Sequence, residues 1–152
     1  MLAQEENRLA LKAVCRDGGT LISSLLQDSV FHLSACSFYR SKECLRLLLN
    51  RFCWESAPFG ADGAQIFFRV HSGFYVHKVK SVVANENFKN KRGSYLNLLA
   101  VQAPTNKSIN LTFSENAELH LEVEDICIYL KDLHDKHPTP SRPEHHGYGD
   151  TA

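Results

Sequence analysis

The chain lacks most of the features that announce a chemistry. Its 152 residues carry no net formal charge, 17 Lys and Arg against 17 Asp and Glu, so no overall field draws it to nucleic acid or to an anionic membrane. Any such binding has to come from a local patch. No segment approaches the roughly 18 uninterrupted apolar residues of a membrane span. The start, MLAQEENRLALK, has two glutamates and no continuous apolar core of the kind a signal peptide needs. No strand is followed by a glycine-rich turn and a long helix, which argues against a dinucleotide-binding or P-loop fold. The glycine-framed serine of hydrolases is missing, and no Cys and His pair has a diagnostic spacing. Five cysteines, Cys15, Cys36, Cys44, Cys53 and Cys127, are scattered through apolar segments, which reads as reduced thiols in a cytoplasmic protein. A Cys36 to Cys44 disulfide across a proposed turn is the minority alternative.

What is present is one domain's worth of well-patterned apolar sequence, long enough to bury about 68% of the surface its unfolded chain exposes. The organising stretch is Cys44 to Glu55, CLRLLLNRFCWE, in which Leu45, Leu47, Leu48, Leu49, Phe52 and Trp54 suit a strand buried on both faces. It follows an alternating segment, Val30 to Tyr39, across the polar turn Arg40 to Glu43, so the pair is expected as a hairpin. Leu21, Ile22, Leu25 and Leu26 fall at helical spacing after Asp17, Gly18, Gly19 and Thr20, and Asp17 or Thr20 is the expected cap. This is the one convincing helix, and Leu25 is its expected buried centre.

Leu9 to Ala13, Gln65 to His71, Phe74 to Ala84, Tyr95 to Val101 and Ile109 to Phe113 read as strands, with Ser72 and Gly73 a turn or bend. The parity of the apolar residues shifts between Leu119, Leu121, Val123 and Ile126, Ile128, Leu130, which means a bulge, a bend or two short strands. Ser56 to Gly63 and Asn85 to Gly93 read as loops. The predicted fold class is therefore α+β, mainly antiparallel β, as a strongly curved sheet or partly closed barrel with one early helix packed on it. Residues 1–133 form the expected single compact domain. Residues 134–152, rich in His, Pro and Gly, form an expected flexible tail.

SSLLQDSVF at Ser23 to Phe31, LLLNRFCWE at Leu47 to Glu55, RVHSG at Arg69 to Gly73 and ELHLEVEDICIYLKDL at Glu118 to Leu133 occur in an order that resembles a small alphaproteobacterial family, domain of unknown function 2948. The resemblance spans about residues 9–133. It implies no activity, cofactor or set of site residues. Two positions depart from the family pattern: the helix start is glycine-rich, and Cys53 stands where a second arginine is common.

The polar residues divide into a few candidate sites. Arg51 reads either as an internal ion pair with Glu55, Glu43 or an acid of a neighbouring strand, or, with Arg69 and His71, as an anion-binding cleft. Lys78, Lys80, Lys89, Lys91 and Arg92 lie near Phe74, Tyr75 and Phe88 and could form a basic, aromatic rim for single-stranded nucleic acid; a solvated loop over core aromatics is the plainer reading. His71 and Ser72 with Cys53 or Asp62 make a weak nucleophile and base arrangement, so no catalytic residue is expected. His134, His137, His145, His146 and Asp150 have ligand chemistry without a rigid frame, so neither a metal nor a cofactor is expected. Asn106 and Asn110 head glycosylation patterns in a chain with no secretion signal.

On these grounds the sequence predicts a small cytoplasmic scaffold or protein-interaction domain that meets an unknown protein partner or self-associates. An anion-binding or single-stranded nucleic-acid-binding module is the alternative and an enzyme the third reading. No membrane partner is expected, and nucleic acid ranks below protein.

Overall fold

The computed structural model describes residues 8–56, 66–91, 94–140 and 142–143. Its elements are β1 (Ala10–Ala13), α1 (Arg16–Leu26), β2 (Ser29–His32), β3 (Cys36–Tyr39), β4 (Cys44–Phe52), β5 (Phe67–Val76), β6 (Val79–Ala84), the one-turn helix α2 (Glu86–Lys89), β7 (Tyr95–Thr105), β8 (Ser108–Phe113), β9 (Glu118–Val123), β10 (Ile128–Asp132) and β11 (His137–Thr139). All strand pairings are antiparallel, and the neighbours run β1-β10-β5-β4-β2-β7-β8-β9-β6, with β11 added to β5 and β3 to β4.

The α+β class with antiparallel strands holds, but the expected strongly curved sheet or partly closed barrel does not. The path is open: β1 and β6 end it and do not pair with each other. Closure is one way to remove edges, and this sheet uses others. Its margin β1 is only four residues long, while β6 carries a register shift between Val79 and Ser81. Short and bulged margins resist further pairing without curling the sheet shut.

β4 is an interior strand, as its leucines require. Its faces are unequal, however. Leu45, Leu47, Leu49 and Arg51 point into the core, whereas Leu48 on the other face is 37% exposed and Arg46 and Asn50 are half-buried. Burial on both faces begins only at Phe52 and Cys53, where the rings of Trp54 and Phe67 cover Phe52 at 4.6 and 6.0 Å. The segment before it is interrupted as well. Val30 to Tyr39 divides into β2 and β3 around a 3-10 turn at Leu33–Ala35, where His32 Nδ1 accepts from the Ser34 N–H at 3.2 Å.

The helix α1 starts earlier than the apolar stripe suggests. Cys15, not Asp17 or Thr20, occupies the cap, its Sγ accepting from the Gly18 N–H at 3.4 Å. Ile22 and Leu26 are the buried contacts, Leu25 is half-buried and Leu21 faces solvent. The glycine-rich start has a packing reason. A Cβ on Gly18 would stand 3.0 Å from Ala13 Cβ, so its absence lets the helix close tightly on β1.

β5 is one continuous strand through Ser72 and Gly73, and the break comes at Lys78, whose φ is 60°. The parity shift after Val123 resolves as two strands in different parts of the sheet: β9 lies between β8 and β6, β10 between β1 and β5. The segment after residue 133 begins with a docked strand, since β11 pairs with β5. One apolar core joins α1 with the inner faces of both halves of the sheet. The expectations for residues 1–7, for Pro58, Gly60, Asp62 and Gly63 in the loop after Ser56, for Arg92 and Gly93, and for His145, His146 and Asp150 in the tail lie outside the described residues.

Candidate functional site

Arg51, Arg69 and His71 are not brought together. Directly opposed residues of an antiparallel pair share a sheet face, and Arg51 opposes Val70, while Asn50 opposes His71 and Phe52 opposes Arg69. Arg51 therefore points into the core and the other two to the opposite face. Its guanidinium is 0% exposed and doubly bidentate. Nε and Nη2 donate to Asp132 Oδ1 and Oδ2 at 3.2 and 2.8 Å, and Nη1 and Nη2 to Glu55 Oε1 and Oε2, both at 2.9 Å. The Ser72 hydroxyl adds a 2.6 Å bond to Asp132 Oδ1. Burial disfavours the charged guanidinium, but the hydrogen bonds and charges of Glu55 and Asp132 outweigh it and raise its pKa. This cation has its anions already.

On the other face Arg69 donates from Nη1 to the Asn50 carbonyl at 3.0 Å and stacks 5.7 Å over Phe52. Burial lowers its pKa, against an opposing pull from Asp28. His71 packs on His137 at 5.6 Å and on His134 at 5.8 Å, and burial with those two neighbours lowers its pKa. Burial also pushes the Cys36 and Cys53 thiols up to about 11, away from thiolate chemistry. Among the described residues all five cysteines are free, and no three His, Cys, Asp or Glu side chains are placed to hold a metal ion.

The lysines of the predicted basic rim separate too. Lys80 pairs with Glu43 at 3.0 Å, Lys91 with Glu115 at 3.0 Å and Lys89 with Glu86 at 3.7 Å. Phe74 and Phe88 are buried in the core. Lys78 alone of the described four stands elsewhere, on the rim of an open groove of about 910 Å³ on the outer face of β1, β10 and β5.

That groove is the candidate site the described residues offer. Four lysines, Lys12, Lys42, Lys78 and Lys131, line it with a single acid, Glu43, and Tyr75, His77, Cys127 and Tyr129 supply its floor and sides. The strand registers dictate the arrangement. Lys12 opposes Tyr129, Tyr129 opposes Tyr75, and Tyr75 opposes Arg46, so these four share the outer face in one row across four strands. Their inward neighbours, Leu11, Ala13, Ile128, Leu130, Phe74, Val76, Leu45 and Leu47, belong to the apolar core or pack on it, which fixes which way the row points. Lys12 Nζ lies 5.5 Å from the Tyr129 ring centre, and a hydrogen bond to Tyr129 raises the pKa of that ammonium. His77 meets the Tyr129 ring edge-on at 5.1 Å.

Sequence reasoning reached Lys78 and Tyr75 but missed Lys12, Lys42, Lys131, His77 and Tyr129. A signal was available: in L-K-A, I-Y-L and F-Y-V, at residues 11–13, 128–130 and 74–76, a polar or amphipathic residue sits between two inward apolar ones. The pattern marks an outward side chain. It does not say which strands are neighbours.

A groove rich in cations and aromatic rings can hold anions and planar groups, and no side chain in it forms a nucleophile and base pair with a hydrogen bond in place. Among the described residues no helix is long and apolar enough to cross a membrane. No curated protein and no solved structure matches the chain. The family model described as protein of unknown function, DUF2948, matches residues 9–145. The chain belongs to the DUF2948 family.

Proposed function

We propose that this protein is a binding module for an anionic ligand, which it takes up in the lysine-lined groove on the outer face of β1, β10 and β5. The observation that carries the reading is the local charge: four lysines against one glutamate around a single groove, in a chain whose formal charge is zero. Such a concentration raises the local density of anions without making the whole molecule basic. The volume, about 910 Å³, is that of a small-ligand or nucleotide-sized site. A bacterial, cytoplasmic setting fits five free thiols.

The test is an amide-resolved NMR titration with inorganic tripolyphosphate at low salt. Saturable shifts at Lys12, His77, Lys78, Tyr129 and Lys131 are expected, and they should vanish in the double variant Lys12→Glu, Lys131→Glu. Spectra that stay unchanged at millimolar ligand would remove the proposal.

A scaffold role through self-association is the second reading, supported by an exposed apolar side chain on β6. Val83 on that strand is 59% exposed. A mass from light scattering that doubles with concentration, and falls back in Val83→Lys, is the expected result; a monomer at every concentration would reject it.

A further inference from the structure

We infer that the anion taken by this groove is single-stranded nucleic acid, lying across the sheet on the row Lys12, Tyr129, Tyr75 and Arg46. The inference rests on the anion-binding reading and adds the demand for bases. With neighbouring strands about 4.8 Å apart, the row spans roughly 14 Å from β1 to β4, with a cation at each end and two tyrosines on adjacent strands between them. Phosphates need the ends. Unpaired bases, each with a flat π face, need the middle.

The tyrosine on β5 is laid down for this. A Cβ on Gly73 would fall 2.4 Å from the Tyr75 hydroxyl oxygen and 2.7 Å from its ring carbons. The ring tip therefore occupies the place where any other residue would have a side chain, pressed on the strand, while Tyr75 lines the open groove. Tyr129 is held by Lys12, 5.5 Å from its ring centre, and by the nearly perpendicular His77 ring at 5.1 Å. Fixed rings lose little freedom when a base settles on them. At the far end Arg46 Cζ stacks 5.2 Å over the Tyr39 ring, which extends the same cation and ring alternation beyond β5. A duplex keeps its base faces stacked inside and offers this row nothing but phosphate.

The experiment is fluorescence anisotropy at low salt with the full chain, using a labelled uridine octamer and a labelled abasic octamer of the same length and charge. The uridine octamer should bind about tenfold or more tighter than the abasic one, the difference expected for one base stacked on an aromatic ring. Tyr75→Leu and Tyr129→Leu should each lower the affinity for the uridine octamer more than that for the abasic one and so narrow the difference. Gly73→Ala should act like Tyr75→Leu, because the new methyl displaces the ring. Lys12→Ala should weaken both octamers alike. Equal affinity for the two octamers, or tyrosine variants that keep the preference, would overturn the nucleic-acid inference while leaving the anion reading in place. Failure of both octamers to bind would remove both. Should a variant not fold, 5-iodouridine octamers photo-crosslinked to the unaltered protein give the same decision: adducts at Tyr75 or Tyr129 support the inference, and adducts confined to other residues overturn it.

Discussion

Arg51→Met removes the one buried cation among the described residues. Asp132, 3% exposed, then keeps the 2.6 Å bond from Ser72 but loses both charged donors, at 3.2 and 2.8 Å, and is left a buried carboxylate without its cation. Glu55, one-third exposed, can rehydrate. The cost is therefore set by Asp132, and breaking one side of a buried pair typically costs about 3–5 kcal/mol. That is a large share of the roughly 5–15 kcal/mol that holds a domain of this kind together. Urea denaturation followed by far-UV circular dichroism reads it. Replacing both partners, as Arg51→Met with Asp132→Leu, removes the orphaned carboxylate, so the double variant should be more stable than Arg51→Met alone and the coupling should be at least about 2 kcal/mol. Glu55→Gln, which loses only a partly solvated contact, should cost no more than about 1 kcal/mol. A loss below about 1 kcal/mol for Arg51→Met, or a double variant worse than the sum of its parts, would refute the assignment of the charge balance to the core.

Two further outcomes follow from the packing. Leu26→Ala should cost about 2–5 kcal/mol, because Leu26 is fully buried under α1, and half-buried Leu25→Ala clearly less; equal losses in thermal or urea denaturation would contradict the packing of the helix. His71 has a pKa lowered from its ordinary 6.5, so the unfolded chain takes up the proton first and stability falls as pH drops below about that value, levelling once the folded form is protonated too. His71→Asn should remove that part of the slope in melting temperatures between pH 8 and 5; an unchanged profile would show that burial and the contacts with His137 and His134 do not set it.

Much of the core was legible because its residues speak through period. Leu45, Leu47 and Leu49 announced an interior strand, and Ile109, Leu111 and Phe113 alternate as they do in β8. Arg51 continues the parity of those leucines, so its inward direction was readable too, although its partner Asp132 was not. What failed were local details decided by neighbours. Cys15 displaced Asp17 as the cap, since a helix that presses Gly18 on Ala13 has to start a turn sooner. Ser72 and Gly73, residues that favour turns, run straight through β5 because the small positions admit Asp132 on one face and the Tyr75 ring on the other. The expected closure of the sheet failed because strand count says nothing about whether margins need joining. The groove was the least legible part. Lys12, Tyr75 and Tyr129 within it, and Arg46 beside it, come from four separate segments, and only the registers of β1, β10, β5 and β4 place them in line.

The position of β10 carries a consequence for how the chain is made. β1 pairs with β10, and Arg51 finds its interior carboxylate 81 residues further along. A nascent chain emerging from the ribosome must wait with its first strand idle, and with Glu55 as the nearby partner of Arg51, until the segment around Asp132 clears the exit tunnel. Contacts so distant along the sequence make for slow assembly and a long exposure of unpaired edges. The newborn protein is thus most vulnerable to aggregation just before β10 arrives.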